Sequence, residues 1–214
     1  MSERNFTPLD NLLGHLDDAL RTVFAPAPPS ARANPATGHS DEGMSTTSRE
    51  FAGRLMRINH AGEICAQALY QGQALTAKLP HVREKMEQAA CEENDHLAWT
   101  QTRIRELGTH TSRLNALWYT GSFAIGASAG LIGDRWSLGF LAETERQVVE
   151  HLDKHLTRLP PQDEKSRAIV KQMREDENHH ATIAVEAGGA MLPEPVKRLM
   201  RFTSRVMTTT AYWI

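Results

Sequence analysis

The pattern Glu-x-x-His occurs twice, as Glu93-Asn94-Asp95-His96 and Glu177-Asn178-His179-His180, each time inside a long run of helical periodicity. Three residues along a helix return to nearly the same face, so each pair can bind one metal ion. With ten histidines in 214 residues such pairs arise by chance, and alone they read equally well as charge on a solvated helix face. The turns change that balance. Phe51, Leu55, Ile58, Leu69 and Leu75 recur at helical spacing up to Leu79-Pro80, and Val82, Met86, Ala89, Ala90, Leu97 and Ile104 continue to Gly108. A second pair of helices runs from near Leu138 to Leu159 and from near Asp163 to Ala187, split by Pro160-Pro161 and closed by Gly188-Gly189. In an antiparallel hairpin, residues equidistant from the turn lie at one height. Glu63 mirrors Glu93 about Lys78-Leu79-Pro80, and Glu145 mirrors Glu177 about Pro160-Pro161. Each hairpin thus offers a lone Glu and then Glu-x-x-His, the donor set of a ferritin-like di-iron or di-manganese carboxylate site.

The charges fit that reading. Four glutamates at one height in a bundle repel one another, and two divalent ions would balance them. Oxygen and imidazole donors without thiolate suit iron or manganese. Cys65 and Cys91 lie two residues from Glu63 and Glu93, which turns them away from the same face, and they are read as packing residues. Two cysteines form no disulfide framework, so a reducing compartment is expected. Asp176 and Glu92 precede His180 and His96 by four residues; each either orients that imidazole or makes an ordinary surface ion pair. Only 6% of the chain is aromatic and no segment alternates with a period of two, so an all-α fold is expected.

Outside the hairpins, Thr7-Pro8 followed by Leu9, Leu12, Leu13, Leu16, Leu20 and Phe24 predicts a short amphipathic helix. Residues 25–44 are rich in Ala, Pro, Ser, Gly, Asn and Thr and predict a flexible linker, so residues 1–48 form a peripheral region and 49–214 the domain. The N-terminus lacks an apolar core for secretion and is too acidic for a mitochondrial presequence. From Leu114 to Gly133 there is no charge, but four glycines with several Ala, Ser and Thr argue against a membrane span. Gly126-x-x-x-Gly130 permits close helix contact, and the small residues of this crossover helix would leave room for a long apolar ligand; a buried core helix without a ligand is the other reading. Gly126-Ala-Ser128-Ala-Gly130 spells a hydrolase elbow, which needs a preceding strand that this chain does not offer. Pro195–Ile214 carries Lys197, Arg198, Arg201 and Arg205 with no acid and ends Tyr212-Trp213-Ile214. It suits an amphipathic helix on an anionic membrane, or one that only caps the bundle. A net charge of −2 argues against a nucleic-acid partner, and no dinucleotide fingerprint is present.

At Arg57-Ile58-Asn59-His60-Ala61-Gly62-Glu63, Glu93-Asn94-Asp95-His96-Leu97, and Asp176-Glu177-x-x-His180 with Leu192-Pro193, the sequence resembles the demethoxyubiquinone hydroxylase family of ubiquinone biosynthesis. The resemblance runs from near Arg49 to the C-terminus. It implies a membrane-associated di-iron monooxygenase that hydroxylates the ring of a polyprenylated demethoxyubiquinol with O₂, at the cytoplasmic face of a bacterial cell membrane, with other ubiquinone-biosynthesis proteins as candidate partners. It implies two iron ions held by Glu63, Glu93, His96, Glu145, Glu177 and His180, with Glu93 and Glu177 bridging. Glu143 competes with Glu145 for its place, and His151 matches a family histidine near the site. His179 is a weaker ligand candidate, because its partner at the required spacing is Asp176. An iron-storage or peroxide-scavenging ferritin relative stands as the rival reading.

Overall fold

The computed structural model describes residues 8–27 and 30–214, without the side chains of residues 8–12 and 15. All regular structure among the described residues is helical: α1 Pro8–Phe24, α2 Thr46–Thr76, α3 Pro80–Glu106, α4 Asn115–Ile132, α5 Asp134–Arg158, α6 Glu164–Glu186 and α7 Glu194–Trp213. Thr7, the expected cap of the first helix, and the side chains of Leu9 and Leu12 lie outside the described residues.

Helix boundaries follow local chemistry. Ser45 caps α2, its Oγ accepting from the Ser48 N–H at 3.1 Å. Asp163 caps α6 by accepting from the Ser166 N–H at 2.9 Å. Pro80 opens α3 where no backbone donor is needed. Between α4 and α5 the chain turns at Gly133, whose φ of 132° is costly for a residue with a Cβ. α5 starts one turn before the expected Leu138, because the Asp134 carboxylate is fixed by the backbone N–H groups of Lys78 and Leu79 at 3.0 and 2.8 Å.

α2 and α3 form one antiparallel hairpin, α5 and α6 the other, and together they make a four-helix bundle. The bundle has two apolar clusters. One contains Leu55, Met56, Trp99, Ile104, Leu152, Ile169 and Met173. The other contains Leu69, Tyr70, Val82, Met86, Leu138, Leu141 and Ala184. Glu63, Glu93, His96, Glu145, Glu177 and His180 fall between these clusters in every helix, so the mirrored residues form one polar layer with apolar packing above and below.

The crossover helix α4 packs outside the bundle against α2. A Cβ at Gly126 would run into the Leu69 backbone, one at Gly72 into the Phe123 carbonyl, and one at Gly130 into Thr76. Gly126 and Gly130 thus make the close helix contact expected of them, and at those two positions α2 fills the space that a ligand would need. No helix among the described residues is long and apolar enough to cross a membrane.

The segment expected to be a flexible linker lies against the bundle as a strap. Ala27 N–H donates to Gln101, Ser30 Oγ and Ala31 N–H donate to Asp95, and Ala36 is buried with the first cluster. Its composition lacks large apolar residues, yet its short polar side chains and free backbone donors find partners on α3.

Candidate metal centre

Two groups of four buried side chains converge in the polar layer. Glu63, Glu93, His96 and Glu177 bring one donor atom each to within 4.8 Å of one another, and so do Glu93, Glu145, Glu177 and His180. Glu93 and Glu177 belong to both groups, the geometry of a bridging pair. His96 Nδ1 lies 2.9 Å from Glu93, 3.2 Å from Glu177 and 3.6 Å from Glu63. His180 Nδ1 lies 3.2 Å from Glu177 and 3.7 Å from Glu93.

Several donors in this layer have nothing to bond. Glu93 Oε1 and both carboxylate oxygens of Glu145 are buried without a hydrogen-bond partner. Buried carboxylate oxygens left in this state cost free energy in an ordinary core, whereas a cation at the centre would satisfy all of them. The set of four carboxylates and two imidazoles has the charge and hardness for two divalent transition-metal ions.

The outer contacts differ from the sequence expectation. The spacing expects Asp176 either to orient His180, its neighbour on α6, or to make a surface ion pair, and Glu92 likewise with His96 on α3. Each instead crosses to the other hairpin: His96 Nε2 lies 2.9 Å from Asp176 Oδ2, and His180 Nε2 lies 2.6 Å from Glu92 Oε2. The reason is ring geometry. With Nδ1 turned to the layer's centre, Nε2 points across the gap between α3 and α6. Since a carboxylate accepts only, Nε2 carries a proton and Nδ1 faces the other donors.

Without a metal the layer holds protons. Burial and then the Glu93 charge push the Glu63 carboxyl well above its ordinary range, and burial with the Glu177 charge does the same for Glu145. Burial opposes charge on His180, but the Glu177 hydrogen bond and the Glu93 charge outweigh it and raise its pKa to about 9. His96 is likewise held above its ordinary value, against burial, by the Glu93 charge, by the hydrogen bond to Asp176 and by the nearby Glu177 and Glu63 carboxylates. A metal must displace these protons. Binding therefore tightens as pH rises towards 9, by about tenfold per unit for each proton released. Manganese(II) titrations of metal-free protein at pH 6, 7 and 8 check this; an affinity flat across that range contradicts it.

The remaining candidates sort clearly. Glu143 turns outward to Gln147, Lys197 and Arg201, so Glu145 alone of the two enters the layer. His151 packs at 4.0 Å against the His155 ring, in neither donor group. His179 is exposed. Cys65 is partly buried and Cys91 exposed, and neither joins a donor group. Ser128 lies within α4 with its hydroxyl donating to the Ala124 carbonyl, so the apparent elbow is one helical turn. A cavity of about 810 Å³ between α1, α2 and α3 is lined by Arg21, Gln67, Gln71 and Arg83 among others, and by none of the six donors. On α7, Met207 and Tyr212 pack on the bundle, while Leu199, Phe202, Val206 and Trp213 stay exposed.

Sequence reasoning missed Arg32. Its guanidinium reaches from the strap to Asp95 at 2.7 Å and to Asp176 at 2.9 Å. No local pattern marks an arginine in an Ala-, Pro- and Ser-rich stretch as a neighbour of this layer.

Comparison with known proteins agrees with this geometry. A family model described as Ubiquinone biosynthesis protein COQ7 matches residues 50–211. Curated relatives named 3-demethoxyubiquinol 3-hydroxylase include those of Nitrosococcus oceani, 57% identical over 100% of both chains, and Stutzerimonas stutzeri, 57% identical over 100% of this chain and 99% of that one. The protein of that name from Nitrosospira multiformis is 59% identical over 96% of this chain and 99% of its own.

Proposed function

This chain belongs to the Ubiquinone biosynthesis protein COQ7 family, and from that membership we propose that it is a 3-demethoxyubiquinol 3-hydroxylase, which adds a hydroxyl group to the ring of a polyprenylated demethoxyubiquinol. The observation that carries this reading is the buried layer of four glutamates and two histidines, with Glu93 and Glu177 shared by both donor groups.

We read the six residues as those that would hold two iron ions, Glu63 and His96 serving one, Glu145 and His180 the other, with Glu93 and Glu177 belonging to both donor groups. The iron pair, when bound, supplies the reduction of O₂ that puts one oxygen atom on the ring and releases the other as water, with two electrons from an external reductant or from the quinol. The chain's own part is to hold donors and exclude solvent. Asp176 and Glu92 fix the two imidazoles by accepting from Nε2, so that each Nδ1 faces inward and would offer its lone pair once a metal displaces its proton. The apolar clusters on either side keep bulk water from the layer, which strengthens every charge interaction within it.

Measuring quinones in cells that lack this protein tests the assignment. Demethoxyubiquinone accumulates, and the wild-type gene restores ubiquinone. Normal ubiquinone in the deletion strain, with no redundant hydroxylase present, rejects it.

The substrate's tail makes a membrane the natural source of quinol, and the protein is assigned a peripheral place on the cytoplasmic face of the bacterial membrane. Exposed Leu199, Phe202 and Val206 share one stripe of α7 beside Arg198, Arg201 and Arg205, and α4 leaves Leu117, Ile125, Leu131 and Ile132 in solvent. This combination supports contact with an anionic bilayer. Joint replacement of Leu199 and Phe202 by Asp lowers co-sedimentation with anionic phospholipid vesicles by about tenfold or more. Undiminished sedimentation removes α7 as the contact.

A further inference from the structure

The two halves of the polar layer are alike in their inner donors and unlike in what stands behind them. Asp176, which accepts from His96, is held by three groups. Besides His96 Nε2 at 2.9 Å, Arg32 Nη2 lies 2.9 Å from Oδ2, and Gln172 Nε2 donates to Oδ1 at 3.0 Å. Glu92, which accepts from His180, has only Gln88 Nε2 at 2.9 Å as a further partner, and among the described residues no Lys or Arg pairs with it. Its side chain is 41% exposed against 17% for Asp176.

Arg32 is itself fixed in place. Nε donates to Asp95 Oδ2 at 2.7 Å, and the guanidinium stacks at 4.8 Å over the Trp99 ring, which packs 5.5 Å from the His96 ring. Two carboxylates and an aromatic face therefore set its plane, as a planar fork of donors allows and an ammonium does not. The strap does not depend on Arg32 for its own attachment. Ser30 Oγ and Ala31 N–H still reach Asp95 at 2.8 and 2.7 Å, and Ala27 N–H still reaches Gln101 at 2.9 Å.

We propose that Arg32 is a positioning residue that makes the two metal positions unequal: by clamping Asp176 it fixes His96, so that the Glu63/Glu93/His96/Glu177 position holds its ion more tightly than the Glu93/Glu145/Glu177/His180 position. This rests on the reading of the six residues as metal ligands. A histidine held by a fixed acceptor presents Nδ1 in one orientation and loses no rotational freedom on binding. One whose acceptor swings in solvent must be ordered by the ion. Partners behind a ligating histidine typically change metal affinity by about 10- to 100-fold, so loss of the clamp weakens the His96 position by about tenfold.

Cobalt(II) titration of the metal-free full-length protein, followed by calorimetry and visible absorption, resolves the two positions. Wild type binds in two steps. Arg32→Gln weakens the tighter step by about tenfold and leaves the other unchanged, and Arg32→Lys recovers part of the loss. Asp176→Asn weakens the same step, and adding Arg32→Gln to it weakens that step no further, because the arginine acts through the aspartate. Glu92→Gln weakens the other step. The proposal is overturned if Arg32→Gln binds as wild type does, if both steps weaken alike together with thermal stability, or if the Arg32 and Asp176 effects add. Wild type that binds no cobalt removes the metal reading itself, a result distinct from an inert Arg32.

Discussion

Alanine at position 177 ends ring hydroxylation, with quinol turnover falling by more than about 1000-fold. Glu177 is the centre of the layer: one oxygen lies 3.2 Å from His96 Nδ1, the other 3.2 Å from His180 Nδ1, and it belongs to both donor groups. Its loss removes a ligand from each position at once. Iron per chain after anaerobic reconstitution falls with it, and the deletion strain carrying this variant keeps demethoxyubiquinone. The helical circular dichroism persists, since alanine favours a helix more than glutamate does and the apolar clusters are untouched. Glu143→Ala is the companion measurement. Glu143 faces Lys197 and Arg201 outside the layer, and that variant keeps its iron. An E177A protein with more than a tenth of wild-type turnover would sink the assignment of ligands.

The second large effect concerns stability and has opposite signs with and without metal. The Glu145 side chain is buried with neither oxygen hydrogen-bonded, and burial with the Glu177 charge raises its pKa well above the ordinary value. A carboxyl raised in the folded state favours folding below its unfolded pKa and penalises it increasingly as pH climbs from there to the folded pKa. At pH 7 metal-free protein therefore carries this cost, and Glu145→Leu relieves it by about 2 kcal/mol, or about 6 °C in Tm. Metal reverses the order. An ion at about 1000 times its dissociation constant stabilises wild type by about 4 kcal/mol, and the leucine variant gains far less. Differential scanning calorimetry of both proteins, with chelator and with iron(II) under nitrogen, reads the crossing. If Glu145→Leu melts lower than wild type in chelator, the unpartnered carboxyl is not a store of unfavourable energy.

Much of this site could be read in one dimension because its rules are short-ranged. The Glu-x-x-His spacing follows from helical pitch, and the pairing of Glu63 with Glu93 and of Glu145 with Glu177 follows from antiparallel symmetry about a proline turn. Two features of the surrounding fold were not legible. The strap, Ala27 with residues 30–44, has a linker's composition, and its fit against Asp95, Gln101, Arg103 and the first apolar cluster orders it. The small residues of α4 read both as close helix contact and as room for a ligand, and only the seating of Gly126 and Gly130 against α2 decides for contact at those positions. Composition gives the size of a side chain and not what occupies the space beside it.

The sequence by itself determined the all-helical hairpins and which acids and histidines share one height. Both are consequences of local periodicity, and local periodicity survives without knowledge of neighbours. The tertiary structure decided how the hairpins face each other. Asp176 therefore serves His96, Glu92 serves His180, and an arginine from the N-terminal strap stands behind one half of the layer alone. Those contacts join residues 80, 88 and 144 positions apart, and the two imidazole contacts are set by the register in which α3 packs on α6, a quantity no local pattern encodes.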